Sequence, residues 1–182
     1  NPKKYVVERI KAKSHDGRMV PISLVRLKNS KQDGKSKVLL YAYGAYKHSV
    51  DPSFSASRFC LIDRGITFAI AHVRGGGDLG DVWHEEGKKK FKKNTFLDYI
   101  ACANHLIDQR YNYKGGICFY GGSAGGLTGG ALANMAPELF FSMLLLVPFV
   151  DTMTTMLNDK LPLTPAEWEL WGNPIKSKEY FE

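Results

Sequence analysis

The feature that most constrains this chain is the pentapeptide Gly121-Gly122-Ser123-Ala124-Gly125, which separates two segments of different periodicity. The apolar run at 117–120 indicates a buried strand, and the small residues at 124–135 indicate a helix. A strand that turns directly into a helix through Gly-x-Ser-x-Gly is typical of a nucleophile elbow, where larger neighbouring side chains would collide with the strand and the helix. The pattern predicts that Ser123 projects its hydroxyl from a strained turn and that the Ala124 amide points at a developing oxyanion.

Alternation of strand-like and helix-like segments predicts the rest of the fold. Apolar runs at residues 38–42, 66–73, 117–120 and 143–147 indicate strands buried on both faces. Helical periodicity occupies residues 57–63, 94–109 and 124–135, and Asn94 or Thr95 can cap the second of these helices. Residues 5–27 form a predicted N-terminal hairpin. This order favours an α/β fold with a doubly wound, mostly parallel sheet, and we expect one domain over residues 1–182.

Composition excludes several classes of protein. Hydrophobic residues make up 44% of the 182 residues, enough for a sizeable core, which argues against intrinsic disorder. The most apolar stretch, residues 139–150, is interrupted by Ser142 and is too short to span a bilayer, so no membrane partner is expected. Cys60, Cys102 and Cys118 lack a metal-binding spacing, and their odd number suggests free thiols in a reducing cytoplasm. We expect neither a metal nor an organic cofactor.

The formal net charge of +7 owes much to a run of lysines at positions 88, 89, 90, 92 and 93. Such a run usually lies in a solvated loop, so we expect no nucleic-acid partner; the alternative, a basic binding module, predicts salt-sensitive affinity for RNA or DNA. The spacing Gly75-x-Gly77-x-x-Gly80 formally matches a dinucleotide fingerprint. A Rossmann unit, however, needs a helix directly after the glycines, where residues 81–93 are charged and irregular. Nucleotide binding is therefore not expected.

The partners of the serine are missing from the sequence pattern. A serine hydroxyl becomes a good nucleophile when a histidine takes its proton and a carboxylate orients that histidine. In α/β-hydrolases the order is serine, acid, histidine, whereas the five histidines here, at 15, 48, 72, 84 and 105, all precede Ser123. Asp151 and Asp159 follow it, but without a later histidine neither is assigned as the acid. We expect an α/β-hydrolase fold truncated on its C-terminal side and a fragment that is inactive alone.

A series of ordered motifs resembles the prolyl oligopeptidase family of serine peptidases and, within it, the oligopeptidases B. The motifs are Tyr43-Gly44-Ala45-Tyr46, Asp51-Pro52-Ser53-Phe54-Ser55, Ala71-His72-Val73-Arg74-Gly75-Gly76-Gly77-Asp78-Leu79-Gly80, Asn94-Thr95-Phe96-Leu97-Asp98, residues 121–127, Val147-Pro148-Phe149-Val150-Asp151, Pro162-Leu163-Thr164 and Trp171-Gly172-Asn173-Pro174. The resemblance implies a cytosolic enzyme whose hydrolase domain is gated by a β-propeller and which cleaves short peptides after Arg or Lys. The propeller and the family's triad Asp and His are absent from this sequence.

The resemblance assigns catalytic roles to three residues. Ser123 matches the nucleophile. The Tyr43 hydroxyl and the Ala124 amide match the two donors of the oxyanion hole, and losing one such donor typically slows a reaction roughly 100- to 1000-fold.

The resemblance also implies how substrates are selected. Glu167 and Glu169 match an acidic pair that binds the basic side chain before the scissile bond, and because a carboxylate pair suits a guanidinium, we expect arginine to be preferred over lysine. Asp51 matches one of two acids that favour a second basic residue. Ser53 stands at the other position, so a preference for paired basic residues is open.

Local pattern alone leaves alternatives. Ser123 is also compatible with a glycine-rich helix entry, Tyr43 with a structural tyrosine at a strand end, and the pair Glu167 and Glu169 with a solvated helix N-terminus. For the whole chain, the alternatives are another α/β-hydrolase, such as an esterase or acylaminoacyl peptidase, and a non-catalytic product of a split gene.

Overall fold

The computed structural model describes residues 1–180, which form a six-stranded mixed sheet with helices on both faces. The strands are β1 (Tyr5–Lys13), β2 (Met19–Leu27), β3 (Val38–Tyr41), β4 (Thr67–Ala71), β5 (Ile117–Gly122) and β6 (Phe140–Leu146). The helices are α1 (Ala56–Ile62), α2 (Asp81–Glu85), α3 (Lys93–Asp108), α4 (Ala124–Met135), α5 (Thr152–Met156) and α6 (Thr164–Trp171). Short 3-10 turns occupy residues 2–4, 89–91, 137–139 and 178–180.

The sheet has the order β1-β2-β4-β3-β5-β6. The hairpin strands β1 and β2 are antiparallel, and β2 pairs antiparallel with β4. The remaining neighbours, β4 with β3, β3 with β5 and β5 with β6, are parallel. The prediction of an α/β fold with a mostly parallel sheet and an N-terminal hairpin is therefore confirmed.

Two apolar clusters cover the two faces of the sheet. Successive side chains of a strand point to opposite faces, so Leu39 and Leu40 of β3 join different clusters. Leu40 belongs to the larger cluster, which packs against α3 and α4, while Leu39 packs with Ile62 of α1. Burial on both faces explains why the central strands are continuous apolar runs in the sequence. Among the helices of residues 1–180, none combines the length and the apolar character that a membrane span requires.

The segment between β4 and α3 differs from the prediction. Residues 81–93 contain α2 and a 3-10 turn instead of an irregular loop, and α3 begins at Lys93 without a capping side chain. The predicted caps are used elsewhere: Asn94 donates a hydrogen bond to the carbonyl of Glu86 at 2.9 Å, and Thr95 donates to the carbonyl of Arg74 at 2.8 Å. Both side chains therefore fasten the preceding segment to the helix.

A buried ion pair underlies this segment. Both nitrogens Nε and Nη2 of Arg74 bind the carboxylate of Asp98 on α3, at 2.8 and 2.7 Å, and the two side chains are almost fully buried. Ser14, in the turn between β1 and β2, donates to the same carboxylate at 2.6 Å. Paired and hydrogen-bonded charges of this kind are compatible with burial, and here they join the hairpin, the loop after β4 and helix α3.

Candidate active site

Ser123 lies at the turn between β5 and α4 with φ 51° and ψ −122°, a left-handed conformation that is unusual for a residue with a side chain. Its amide donates to the carbonyl of Leu146 at 3.0 Å, and its carbonyl accepts from the amide of Phe149 at 2.9 Å. The last residue of β6 and the segment that follows it therefore hold the strained backbone on both sides of Ser123. Ser123 itself is exposed, so its hydroxyl is accessible at the carboxyl end of the sheet.

Glycines at the start of α4 allow the turn to pack closely against its neighbours. A Cβ on Gly125 would lie 2.9 Å from the carbonyl oxygen of Ala42, and one on Gly126 would lie 2.5 Å from Cα of Pro148. Real Cβ contacts of this length do not occur, so α4 approaches both neighbouring segments only because these positions are glycine. The elbow motif in the sequence includes Gly125, whereas the need for Gly126 becomes visible only from the position of Pro148.

Tyr43 follows β3, which is the parallel neighbour of β5, so the two strands deliver Tyr43 and Ser123 to the same edge of the sheet. The Tyr43 hydroxyl and the Ser123 side chain are near enough to interact electrostatically. Burial raises the pKa of Tyr43, the polar side chain of Ser123 lowers it in part, and the negative charge of Glu167 raises it further. Tyr43 is therefore a neutral hydroxyl donor near neutral pH. Ala124, the first residue of α4, directly follows Ser123 in the chain and is buried.

A cavity of about 560 Å³ opens beside Ser123. Its walls are mostly apolar and come from the segment after β6, from α5 and from the start of α6; they include Phe149, Met156 and Leu163. Glu167 and Tyr46 supply polar groups to the same cavity. The arrangement offers an apolar channel with a carboxylate in its wall and a serine at its edge, which suits a long side chain that ends in a positive charge.

The two predicted glutamates of α6 point in different directions. Glu167 lines the cavity, and its Oε2 accepts hydrogen bonds from the Tyr46 hydroxyl and the Trp171 indole, both at 2.7 Å. Glu169 is exposed and forms ion pairs with Lys88 at 3.0 Å and Lys89 at 3.2 Å, which lower its pKa. Residues two positions apart on a helix lie on nearly opposite sides, and in this structure the two carboxylates face different surroundings.

The structure brings four of the six predicted site residues together and leaves two apart. Tyr43, Ser123 and Ala124 meet at the elbow, and Glu167 faces the adjoining cavity. Glu169 lies on the other side of α6, and Asp51 is an exposed residue outside the cavity wall.

No described histidine hydrogen-bonds to Ser123. His72 is buried and lies between Ser23, 2.9 Å from its Nε2, and Asp78, 2.7 Å from its Nδ1. His48 packs edge-on against the Tyr43 ring, with the centroids 5.3 Å apart. Over residues 1–180 there is also no group of three or more His, Cys, Asp or Glu side chains that could hold a metal ion.

Lys92 is a neighbour of the site that the sequence pattern does not reveal. Its ammonium donates to the carbonyl of Gly44, directly after Tyr43, and lies 5.3 Å from the ring centre of Trp171. Burial lowers the pKa of Lys92 to about 7. The prediction that the lysine run is a solvated loop is therefore wrong for Lys92, which packs inward at the start of α3. Four other lysines lie within residues 88–93, so the sequence pattern gives no sign that Lys92 differs from them.

Comparisons with known proteins agree with the fold. Residues 52–182 match the model of the prolyl oligopeptidase family. The chain is 47% identical over 180 residues to dipeptidyl aminopeptidase BI of Pseudoxanthomonas mexicana and 47% identical over 174 residues to Protease 2 of Moraxella lacunata. These matches cover 98% and 96% of the chain, but only 25% of each relative. The chain thus spans about a quarter of the length of the curated relatives it matches.

Solved structures give the same result. Oligopeptidase B from Leishmania major superposes with a TM-score of 0.95 at 44% identity, over 100% of this chain and 25% of that protein. The closed form of oligopeptidase B from Trypanosoma brucei with covalently bound antipain gives 0.96 at 46% identity, over 100% of this chain and 26% of that protein. The resemblance to oligopeptidase B and the α/β-hydrolase fold class are therefore confirmed. The chain belongs to the prolyl oligopeptidase family.

Proposed function

We propose that this chain supplies the nucleophile, the oxyanion hole and the binding site for a basic side chain of a serine peptidase that hydrolyses short peptides after Arg or Lys. The observation that carries the proposal is that Ser123 and Glu167 line one cavity. Because the chain spans about a quarter of its relatives, we further propose that the rest of a longer protein provides the histidine base, its aspartate and a β-propeller. The chain without them is expected to be inactive.

The proposed reaction begins with charge recognition. The basic side chain of the substrate enters the cavity and its cation pairs with Glu167, which places the scissile carbonyl carbon over Ser123. The Ser123 oxygen attacks this carbon while the histidine takes the hydroxyl proton. The carbonyl oxygen becomes an oxyanion, which the Tyr43 hydroxyl and the Ala124 amide stabilise by hydrogen bonds.

The second half of the reaction releases both products. The tetrahedral intermediate expels the amine, which leaves with the proton carried by the histidine, and an acyl-Ser123 ester remains. Water then attacks the ester carbon as the histidine takes its proton. Collapse of the second intermediate breaks the bond between this carbon and the Ser123 oxygen, releases the new carboxylic acid, and returns the proton from the histidine to the serine. The proposed chemistry uses no metal or organic cofactor.

Electrostatics support a link between substrate binding and the oxyanion hole. The negative charge of Glu167 raises the pKa of Tyr43 in the empty site. When a substrate cation neutralises this charge, the Tyr43 hydroxyl becomes more acidic and thus a stronger donor to the oxyanion. A basic side chain in the cavity would therefore assist the chemical step as well as binding.

Glu169 and Asp51, which the sequence also predicts to select substrates, contribute less to this proposal than Glu167. Glu169 is engaged by Lys88 and Lys89, so Glu167 is proposed as the carboxylate that contacts the basic side chain. Asp51 stays a candidate for recognising a second basic residue, with Ser53 in place of a second acid.

A cytoplasmic location is part of the proposal. Cys60, Cys102 and Cys118 are all unpaired in the structure, which fits a compartment that keeps thiols reduced.

The test uses the longer protein that contains this chain and compares matched fluorogenic amides that carry Arg, Lys or Pro before the scissile bond. We expect hydrolysis of the Arg and Lys substrates alone, at least a 1000-fold loss of kcat in Ser123→Ala, and a loss of roughly 10- to 100-fold in kcat/KM for basic substrates in Glu167→Gln. A neutral acyl ester cleaved in preference to the matched arginyl ester would support the esterase alternative. Release of dipeptides from a free N-terminus would instead assign the activity named for the Pseudoxanthomonas mexicana relative.

A further inference from the structure

Two side chains of the protein already donate hydrogen bonds to one of the two carboxylate oxygens of Glu167. An ionised carboxylate has about four acceptor positions, two on each oxygen. The Tyr46 hydroxyl and the Trp171 indole both donate to Oε2, at 2.7 Å each, and so use the two positions of that oxygen. No residue among 1–180 donates to Oε1. A ligand cation in the cavity therefore meets one free oxygen.

Packing holds the two donors in place. The Tyr46 and Trp171 rings meet edge to face with centroids 6.0 Å apart, and Trp171 also packs on Phe149 at 5.5 Å. The ammonium of Lys92 also contacts the Trp171 ring, at 5.3 Å from its centre. Because Trp171 and Glu167 are four residues apart on α6, the indole reaches the carboxylate along one side of the helix.

We propose that Tyr46 and Trp171 determine the specificity of the site by holding Glu167 so that only Oε1 is available to a ligand. The site would then recognise the positive charge of the substrate side chain and not the paired N–H groups of an arginine. This inference rests on the proposed function and refines it. The preference for arginine expected from the sequence requires two oxygens that accept parallel N–H bonds. With Oε2 occupied, a guanidinium and an ammonium each bind Oε1, so the advantage of arginine over lysine is lost.

The first measurement is kcat/KM for two fluorogenic amides that differ only in Arg or Lys before the scissile bond, using the longer protein that contains this chain. We expect the two values to lie within about tenfold of each other. An arginine preference greater than tenfold in this protein would overturn the proposal, because it requires a second bond that the occupied carboxylate does not offer.

The second measurement frees Oε2. In Tyr46→Phe the ring stays and one acceptor position opens, so arginine gains a possible second bond while the carboxylate becomes less fixed. We expect kcat/KM to fall for both substrates, mainly through KM, and the Arg-to-Lys ratio to rise at least threefold; Trp171→Phe should act in the same direction. An equal loss for both substrates would indicate a merely structural role and overturn the proposal.

Two controls separate the possible failures. Tyr113→Phe removes a hydroxyl from a partly exposed ring that follows α3, at the opposite end of β5 from Ser123, and should leave both values and their ratio unchanged. Glu167→Gln tests the proposed function itself. If Glu167→Gln leaves arginyl hydrolysis intact, the proposed function fails. If Glu167→Gln abolishes the preference for basic residues while Tyr46→Phe leaves the Arg-to-Lys ratio unchanged, only the proposed role of Tyr46 and Trp171 fails.

Discussion

The ammonium of Lys92 donates a hydrogen bond to the carbonyl oxygen of Gly44, which ties the start of α3 to the residue that follows Tyr43. Burial lowers the pKa of this lysine from 10.5 to about 7, while the carbonyl and the nearby Trp171 ring favour the ammonium. The same lysine thus supports both the tyrosine proposed for the oxyanion hole and the indole that holds Glu167. We therefore expect the charge of Lys92 to affect the stability of the fold.

Lys92→Met should flatten the pH dependence of stability. Between about pH 7 and 10.5 the unfolded chain binds more protons at Lys92 than the folded chain, so the free energy of unfolding contributed by this residue increases with pH, by at most about 1.4 kcal/mol per pH unit. Urea unfolding of both proteins at pH 7, 8 and 9 measures the difference, and comparing the two removes the effect of other titrating groups. Parallel curves for the two proteins would contradict the lowered pKa of Lys92.

The buried pair of Arg74 and Asp98 should matter more than any surface pair. Asp98→Ala removes the buried carboxylate that binds Nε and Nη2 of Arg74 and leaves the guanidinium with Asp16 and Glu86 on Nη1 alone; it should lower the free energy of unfolding by about 3 kcal/mol. Glu138→Ala is the matched control, because Glu138 forms an exposed pair with Lys114 at 3.9 Å; its effect should be below about 1 kcal/mol. Similar urea midpoints for the two variants would contradict the prediction that the buried pair stabilises the fold more than the exposed pair.

Gly126→Ala should disturb the elbow. The new Cβ would lie 2.5 Å from two Pro148 atoms, so either α4 or the backbone after β6 must move. Overpacking of this kind typically costs about 1–3 kcal/mol, and since Ser123 is hydrogen-bonded to the same segment, peptidase activity of the longer protein should fall more than 100-fold by the proposed mechanism, as expected for lost oxyanion geometry.

Gly130→Ala in the same helix is the control for the elbow. Its Cβ meets only the Val150 side chain, at 2.9 Å, which can adjust, and alanine gains up to about 1 kcal/mol of helix propensity. Activity that survives equally in both variants would show that the contact with Pro148 does not hold the elbow.

Thiol labelling should distinguish the three cysteines. Cys60 is exposed, whereas Cys102 and Cys118 are buried, and burial raises the pKa of both buried thiols. Because the thiolate is the reactive form, Cys60 should react with a disulfide reagent at pH 8 in the folded chain, and the other two only after unfolding in urea. Mass spectrometry of the labelled peptides gives the order, and early labelling of Cys102 would contradict the described core.

Local sequence predicts those parts of this molecule that depend on neighbouring residues in the chain. The elbow around Ser123 is predictable because strand, glycine turn and helix are consecutive, and the central strands are predictable because burial on both faces leaves continuous apolar runs. The start of α3 is not, because Asn94 and Thr95 bind backbone groups brought close by tertiary packing. The different surroundings of Glu167 and Glu169 also depend on tertiary packing. The sequence motif gives both glutamates the same binding role, but Glu169 forms ion pairs with Lys88 and Lys89 outside the cavity.

The most direct test of the account is covalent labelling of the longer protein with a peptidyl phosphonate that carries an arginine-like side chain, with a neutral phosphonate as reference. The account predicts one adduct, on Ser123 by peptide mass spectrometry, and a labelling rate for the basic probe that falls roughly 10- to 100-fold in Glu167→Gln while the neutral probe changes far less. An adduct on another residue, or equal rates for the basic probe with and without the Glu167 carboxylate, would contradict it.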